Sequence, residues 1–230
     1  MLHPGQSVAD IVSEFSECAS VFQRHRIDYC CHGSMSLATA CGARNLDVQT
    51  LLEELEQAIS ERVDACEDSR SLSTAALIRH IEHRYHHSLR KTLPFVEKLS
   101  AKVGRVHGDR NPRLRELEAV VRELNAALIP HLDREEQEIF PALTARSPAD
   151  AVVRRELSEM LEEHRSVGRL LLRMRGAAEN FQSPAWACNS YRTLMTELEH
   201  LEGDILRHVH LENHVLMPRF IPAELARSIA

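Results

Sequence analysis

Apolar residues recur at helical spacing in four long segments of the chain. At about 100° per residue, alternating steps of three and four keep one stripe on one face. The first segment runs from about Thr74 to Val103, closed by Gly104 and Gly108, with Ile78, Ile81, Tyr85, Leu89, Leu93 and Val96 on its face. The second runs from Pro112, a residue suited to a first turn, to about Thr144, along Leu117, Val121, Leu124 and Leu128, with Ile139 and Phe140 beyond. The third opens after Ser147-Pro148, with Ser147 as its cap, and reaches about Glu179 along Val153, Leu157, Met160, Val167, Leu171 and Met174. The fourth opens after Ser183-Pro184 and closes at Pro218, along Tyr191, Leu194, Leu198, Leu201, Ile205 and Val215. Helices of about 30 residues, each about 45 Å long, with short connections predict an all-α, up-down-up-down four-helix bundle. No stretch reads as a strand.

A smaller helical module precedes the bundle. Short periodic pieces lie around Val8–Phe22 and Val48–Ile59, with Asp47 as N-cap of the second, joined by a turn-rich stretch from Asp28 to Asn45. The predicted division is 1–70 for the module and 71–230 for the bundle.

Polar residues interrupt the stripes at chosen places. His131 and Glu135 follow Leu128 on the second seam, His164 sits on the third, and His208 and Glu212 sit on the fourth. In the first segment His86 falls at the border of the apolar face, while His80, His83 and His87 point away from it. The pattern is duplicated. HLDREEQEIFP at 131–141 parallels HVHLENHVLMP at 208–218, each with a proline ten residues after its first histidine. His131 to His208 spans 77 residues and His86 to His164 spans 78, so the first two helices read as a copy of the last two.

Composition narrows the chemistry. The chain carries 14 His and 6 Cys, 28 Lys+Arg against 34 Asp+Glu, and a net charge of −6, which disfavours a nucleic-acid binder relying on bulk positive charge. No run approaches the roughly 18 apolar residues of a membrane span, and Met1–Asp10 lacks the apolar core of a signal peptide. A cytoplasmic setting with reduced thiols is expected, with neither nucleic acid nor membrane as partner.

A carboxylate on a bundle seam costs several kcal/mol unless a partner compensates it. No seam lysine or arginine offers that charge, so a metal is the expected partner. His and Glu at i and i+4 share a helix face and reach one centre. Four imidazoles and two carboxylates suit two metal ions, with two histidines each, bridging carboxylates, and room for an oxo or hydroxo bridge and an exchangeable position. Imidazole with carboxylate favours iron, with manganese or zinc as competitors. Histidines satisfied by ordinary hydrogen bonds would explain one or two of these positions, not six in a duplicated pattern.

With FQRHRIDYCCHG at 22–33, RYH at 84–86, EEH ending at His164, and the two eleven-residue stretches, the sequence resembles the repair-of-iron-centres family of hemerythrin-like di-iron proteins along nearly its whole length. The resemblance implies iron ligands at His86, His131, Glu135, His164, His208 and Glu212, with Glu135 and Glu212 bridging. It implies a protein that helps repair iron-sulfur clusters damaged by nitric oxide or oxidants, by iron delivery or by handling NO at the di-iron centre. Its partners would be damaged iron-sulfur proteins and the small molecules NO or O2, with a homodimer open as an assembly. It points to a stress-response metalloprotein more than to a conventional enzyme. An O2 or NO carrier or sensor, or an NO reductase, stands as the alternative.

Departures from the family pattern are local. His32 and Ser34 stand where relatives usually have Gly and Lys, and His32 is a candidate third ligand beside the cysteines. Pro130 immediately precedes His131 and predicts a kink. Ala127 makes the approach to the metal less polar, leaving Glu163 as the group expected to support a ligand or carry a proton. Cys30 and Cys31 are candidates for redox, NO or iron-transfer chemistry, with Cys41 close enough in sequence to be a resolving partner, while Cys18, Cys66 and Cys188 read as structural or accidental. The remaining charges, Asp133, Arg134 and Glu136 on the second segment and Arg169, Arg173 and Arg175 on the third, read as solvated faces.

Overall fold

A computed structural model describes residues 2–61, 69–145 and 151–221. Cys66 and the Ser147 cap lie outside the described residues. Among the described residues the regular structure is helical, with one isolated antiparallel bridge between Ser7 and Ser36. The described residues form two compact units, one from within 1–79, 146–154 and 206–230, the other from within 80–145 and 155–205.

The first unit contains α1 (Val8–Glu14), α2 (Cys18–Arg24), α3 (Leu37–Arg44) and α4 (Val48–Ser60). Side-chain caps start three of them: Ser7 accepts from the Asp10 N–H, Ser36 from Thr39 and Asp47 from Thr50. Two expectations need correction. Val8–Phe22 is not one helix, because it breaks between Glu14 and Cys18. The stretch 28–45 is not all turn, because Ser36 nucleates α3 and Asn45, at φ 54°, ends it in the left-handed conformation that asparagine tolerates. Helix α5 (Thr74–Ile81) follows.

The second unit is built on α6 (His87–His107), α7 (Arg113–Arg134), α8 (Phe140–Ala145), α9 (Ala151–Ala177) and α10 (Asn189–His210), the outer ends of the last two lying in the first unit. Polar pairs give the topology. Between α6 and α7, Glu97 meets Asn125 and Arg90 meets Asp133, so one number falls as the other rises. Glu123 with Arg173 and Arg134 with Glu163 set α7 against α9 in the same antiparallel sense. Lys102 with Ser190 and Ser88 with Asp204 do so for α6 and α10, and Arg175 with Glu202 joins α9 to α10. This is an up-down-up-down four-helix bundle. Every residue assigned to the four apolar stripes is buried.

Helix boundaries depart from the pattern in instructive ways. Gly104 does not close α6, which continues to His107 and ends at Gly108, whose N–H reaches the Gly104 carbonyl. Helix α10 begins at Asn189, not directly after Ser183-Pro184. Helix α7 runs unbroken through Pro130. Three wide π turns interrupt the ladder, at Glu82–His86, Glu135–Ile139 and Leu211–Leu216. The amides of His87, Phe140 and Met217 reach back five residues, to the carbonyls of Glu82, Glu135 and Glu212. The last two of these bonds are themselves 77 residues apart. Pro141 and Pro218 each follow by one residue the amide that closes such a turn. Lacking an N–H and crowding the carbonyl four residues back, proline cannot continue the ordinary ladder there.

Arg175 is no surface charge: its side chain is 11% exposed and Glu202's is 5%, and Arg175 Nε donates to Glu202 Oε1 at 2.8 Å. Arg173 and Glu123 are each 49% exposed. Stripping the cation from a buried pair leaves a desolvated carboxylate, whereas an exposed pair is screened by water. Arg175→Ala is expected to cost about 3–5 kcal/mol in urea unfolding, and Arg173→Ala less than about 1 kcal/mol.

Candidate metal centre

The bundle interior holds a carboxylate ringed by imidazoles. Glu135, wholly buried, opens the π turn after α7. Its Oε1 lies 3.2 Å from His131 Nε2 and 3.8 Å from His164 Nε2, and its Oε2 lies 3.5 Å from His86 Nε2. The Nε2 atoms of His131 and His164 are 3.2 Å apart. Ligand atoms of His131, Glu135 and His164 all fall within 4.8 Å of one another.

The far side of two rings is fixed by carboxylates. His86 Nδ1 meets Glu136 Oε1 at 2.9 Å, and His131 Nδ1 meets Glu163 Oε2 at 2.7 Å. A carboxylate can only accept, so each Nδ1 carries the proton and, in a neutral ring, each Nε2 turns a lone pair inward. Those lone pairs face the Glu135 oxygens and, for His131, another imidazole nitrogen. Such a set repels itself unless positive charge stands among its members. Burial alone would depress the His131 pKa, but the neighbouring Glu135 carboxylate lifts it above the ordinary value, so positive charge is favoured at this point of the core. The donor set fits a bound cation, and the protonated far nitrogens match the carboxylate–histidine–metal arrangement.

The charges around this set are partly solvated, as expected, but they are also tied to one another and to the rings. Arg90 joins Asp133 at 2.7 Å and Glu136 at 3.1 Å. Arg134 reaches Glu163 at 2.7 Å, Glu156 at 2.5 Å and Glu159 at 2.6 Å. Glu136 and Glu163 therefore each link an arginine to a ring facing Glu135. The hydrogen bond from His131 holds the Glu163 carboxyl below the usual carboxylate range. Phe140 stacks on the His86 ring at 5.7 Å and 23°.

In the first unit the second copy of the motif keeps the same local geometry. His208 Nε2 is 3.0 Å from Glu212 Oε1, and both side chains are wholly buried. The π turn at 82–86 explains why His86 looked borderline. One extra residue in a turn rotates the residues beyond it by about 100°, and His86 is only 1% exposed. His83 and His87 are exposed, and His80 is half-buried.

A different face of 208–218 carries residues that the stripes did not select. His210 Nδ1 donates to the Tyr29 carbonyl at 3.2 Å, while Asn213 Nδ2 and His214 Nε2 each lie 2.9 Å from the Cys30 carbonyl. Burial pushes the His210 imidazole down to about 3, so it acts as a neutral donor. Their spacing of three to four residues was the available signal. Cys30 and Cys31 are buried with sulfurs 3.5 Å apart. His32 binds Asp28 Oδ2 at 2.8 Å through Nδ1 and is not directed at the sulfurs. Cys18 and Cys41 are buried, and Cys188 is exposed beside His107 Nε2 at 3.2 Å.

Comparison with known proteins adds to this geometry. Residues 77–220 match the hemerythrin HHE cation-binding domain, and residues 4–59 match the ScdA N-terminal domain, a domain of unknown function. The chain is 31% identical over 215 residues, 93% of its length and 96% of the relative's, to the iron-sulfur cluster repair protein ScdA of Staphylococcus haemolyticus. It is 31% identical over 219 residues to the iron-sulfur cluster repair protein YtfE of an Enterobacter species, covering 95% of this chain and 98% of the relative. The YtfE of Escherichia coli is 30% identical over 224 residues, 97% of this chain and all of the relative. Among the described residues no helix is long and apolar enough to cross a membrane.

Glu163→Gln keeps the shape but weakens the acceptor behind His131. Titration calorimetry with a divalent metal should find affinity reduced about 10- to 100-fold, with an unchanged far-ultraviolet circular dichroism spectrum.

Proposed function

Because the chain belongs to the hemerythrin HHE cation-binding family and, along nearly its whole length, to the iron-sulfur cluster repair proteins, we propose that it restores iron-sulfur clusters damaged by nitric oxide or oxidants, using a non-haem di-iron centre. The residues that would hold the irons are His86, His131, Glu135, His164, His208 and Glu212. The observation that carries this reading is the buried Glu135 carboxylate, faced by three imidazole nitrogens, two of them on rings whose outer nitrogens are tied to carboxylates. The duplication supports the other half, since His208 and Glu212 repeat His131 and Glu135 in sequence, in i,i+4 geometry and in the π turn beyond.

Two irons held there would supply electron transfer and an exchangeable position for a small molecule such as NO or O2. The chain's own residues prepare that position. Glu163 and Glu136 hold the His131 and His86 protons outward at Nδ1, which keeps the inward nitrogens available. Arg134 and Arg90 hold those two carboxylates in turn. Phe140, buried and stacked on the His86 ring, helps keep bulk water from the donors. Cys30 and Cys31 form the thiol pair of the repair reaction, serving redox, NO or iron-transfer chemistry.

Elemental analysis of protein made in iron-replete cells is expected to give about two irons per chain, as a carboxylate-bridged site in a bundle core requires. Glu135→Ala should lose most of one or both, and retention of the full complement would overturn the bridging assignment. In a second experiment the iron-loaded protein is added to an NO-damaged [4Fe–4S] enzyme under reducing, iron-free conditions. Recovery of activity, lost when Cys30 and Cys31 are both replaced by Ser, is the expected result. No recovery removes the repair reading, and N2O released with turnover would point to NO reduction.

A further inference from the structure

The adjacent cysteines of the N-terminal module have a third donor beside them. Asp28 Oδ1 accepts the backbone N–H groups of Cys30 at 3.0 Å and Cys31 at 2.9 Å, an Asx turn that folds the chain back over its own carboxylate. Cys30 Sγ lies 3.3 Å from that oxygen and 3.5 Å from Cys31 Sγ. Donor atoms of all three residues fall within 4.8 Å of one another.

The loop that presents them is clamped. Asn213 and His214 hold the Cys30 carbonyl, and His210 holds that of Tyr29. A Cβ on Gly33 would stand 2.5 Å from the Tyr29 carbonyl oxygen, 2.6 Å from Ala9 Cβ and 2.9 Å from His214 Nε2, so only glycine fits. Three donors are thus presented on a fixed frame.

We propose that Asp28, Cys30 and Cys31 form a second kind of cation site, with a donor set different from that of the bundle, which takes a borderline-soft divalent ion, ferrous iron or zinc, through two thiolates and one carboxylate. Tetrahedral bonds of about 2.3 Å to sulfur and about 2.0 Å to oxygen put two sulfurs about 3.8 Å apart and sulfur and oxygen about 3.5 Å apart. The observed 3.5 Å and 3.3 Å need only a few tenths of an ångström of expansion. Mixed thiolate and carboxylate donors suit ferrous iron or zinc better than magnesium or calcium. Three protein donors leave one tetrahedral position for solvent or an incoming ligand, as in exchangeable sites and unlike closed structural ones.

The charges balance in the same direction. The hydrogen bond to Cys31, burial and the neighbouring Asp28 carboxylate push the Cys30 thiol well above its ordinary pKa, so without a cation it stays protonated. Although burial opposes it, Asp28 stays ionised, held down by the Cys31 N–H, His32 and Cys30. A divalent ion displaces one proton from each thiol to solvent and leaves the three-donor site with one net negative charge. This balance is independent of the identity and the occupancy of the bundle's metals.

The test is a cobalt(II) titration of the reduced full-length chain under anaerobic conditions, in a Cys188→Ser background because Cys188 has its own imidazole neighbour. Nitrogen and oxygen donors give no thiolate-to-cobalt charge-transfer band, so cobalt taken up by the bundle is silent, and a saturable near-ultraviolet band lost in the Cys30 and Cys31 variants reports this site. The expected result is that band, displaced by zinc, together with protection of Cys30 and Cys31 from alkylation as mapped by mass spectrometry. Cys30→Ser and Cys31→Ser, which change one atom each, should abolish it. Asp28→Asn should weaken it at least tenfold, and Glu135→Ala, which addresses the bundle, should leave it intact. The proposal is overturned by no thiolate band at saturating cobalt, by a band that survives in Cys31→Ser, or by a pair that resists alkylation without metal and yields only to reductant, which would identify a vicinal disulfide.

Discussion

A carboxylate in the oily middle of a helical bundle is the constraint on which the rest of the molecule turns. Glu135 has no exposure, and two of the three imidazoles facing it turn their protons the other way. Left to themselves these groups would favour any rearrangement that let water in. The bundle holds them in place with ordinary means, stripes of leucine and valine on long helices tied edge to edge by ion pairs. Stability is thus spent on keeping apart from water a set of donors that a cation draws together. In such a site, affinity for metal and resistance to unfolding are linked, because the bound ion removes the repulsion that packing otherwise has to overcome.

Much of this was legible in the chain. The four stripes identified buried positions without error because an apolar seam with steps of three and four has few alternatives to a helix packed on its neighbours. The duplicated histidine and glutamate pairs stood out for the same reason, as polar residues where only apolar ones belong. Boundaries were less legible. Gly104 reads as a stop because glycine is a poor helix former, yet it sits inside α6, and Gly108 is the residue that ends it. Helix α3 was hidden in a segment rich in Ser, Gly and Ala, where the decisive local signal was the Ser36 cap.

Other features depend on contacts far apart in sequence. Arg175 looks like its exposed neighbours Arg169 and Arg173 until Glu202 is brought against it. Arg134, Glu163 and His131 become one chain of hydrogen bonds only when α7 and α9 lie side by side. His210, Asn213 and His214 gain a purpose from the Tyr29 and Cys30 carbonyls 181 to 184 positions earlier. A periodic reading assigns one inward face to a helix and has no place for a second polar face that docks on another segment.

The π turns carry one further implication. A helix of constant pitch has a single phase, so whatever fixes its seam at one end also dictates its outer surface at the other. An inserted residue breaks that dependence. Upstream of the turn at 135–139 the phase is fixed by where His131 and Glu135 must aim, whereas downstream it starts afresh from Ile139 and Phe140. The inserted residue acts as a gear change, letting the interior keep its alignment while the far end of the same rod meets different neighbours.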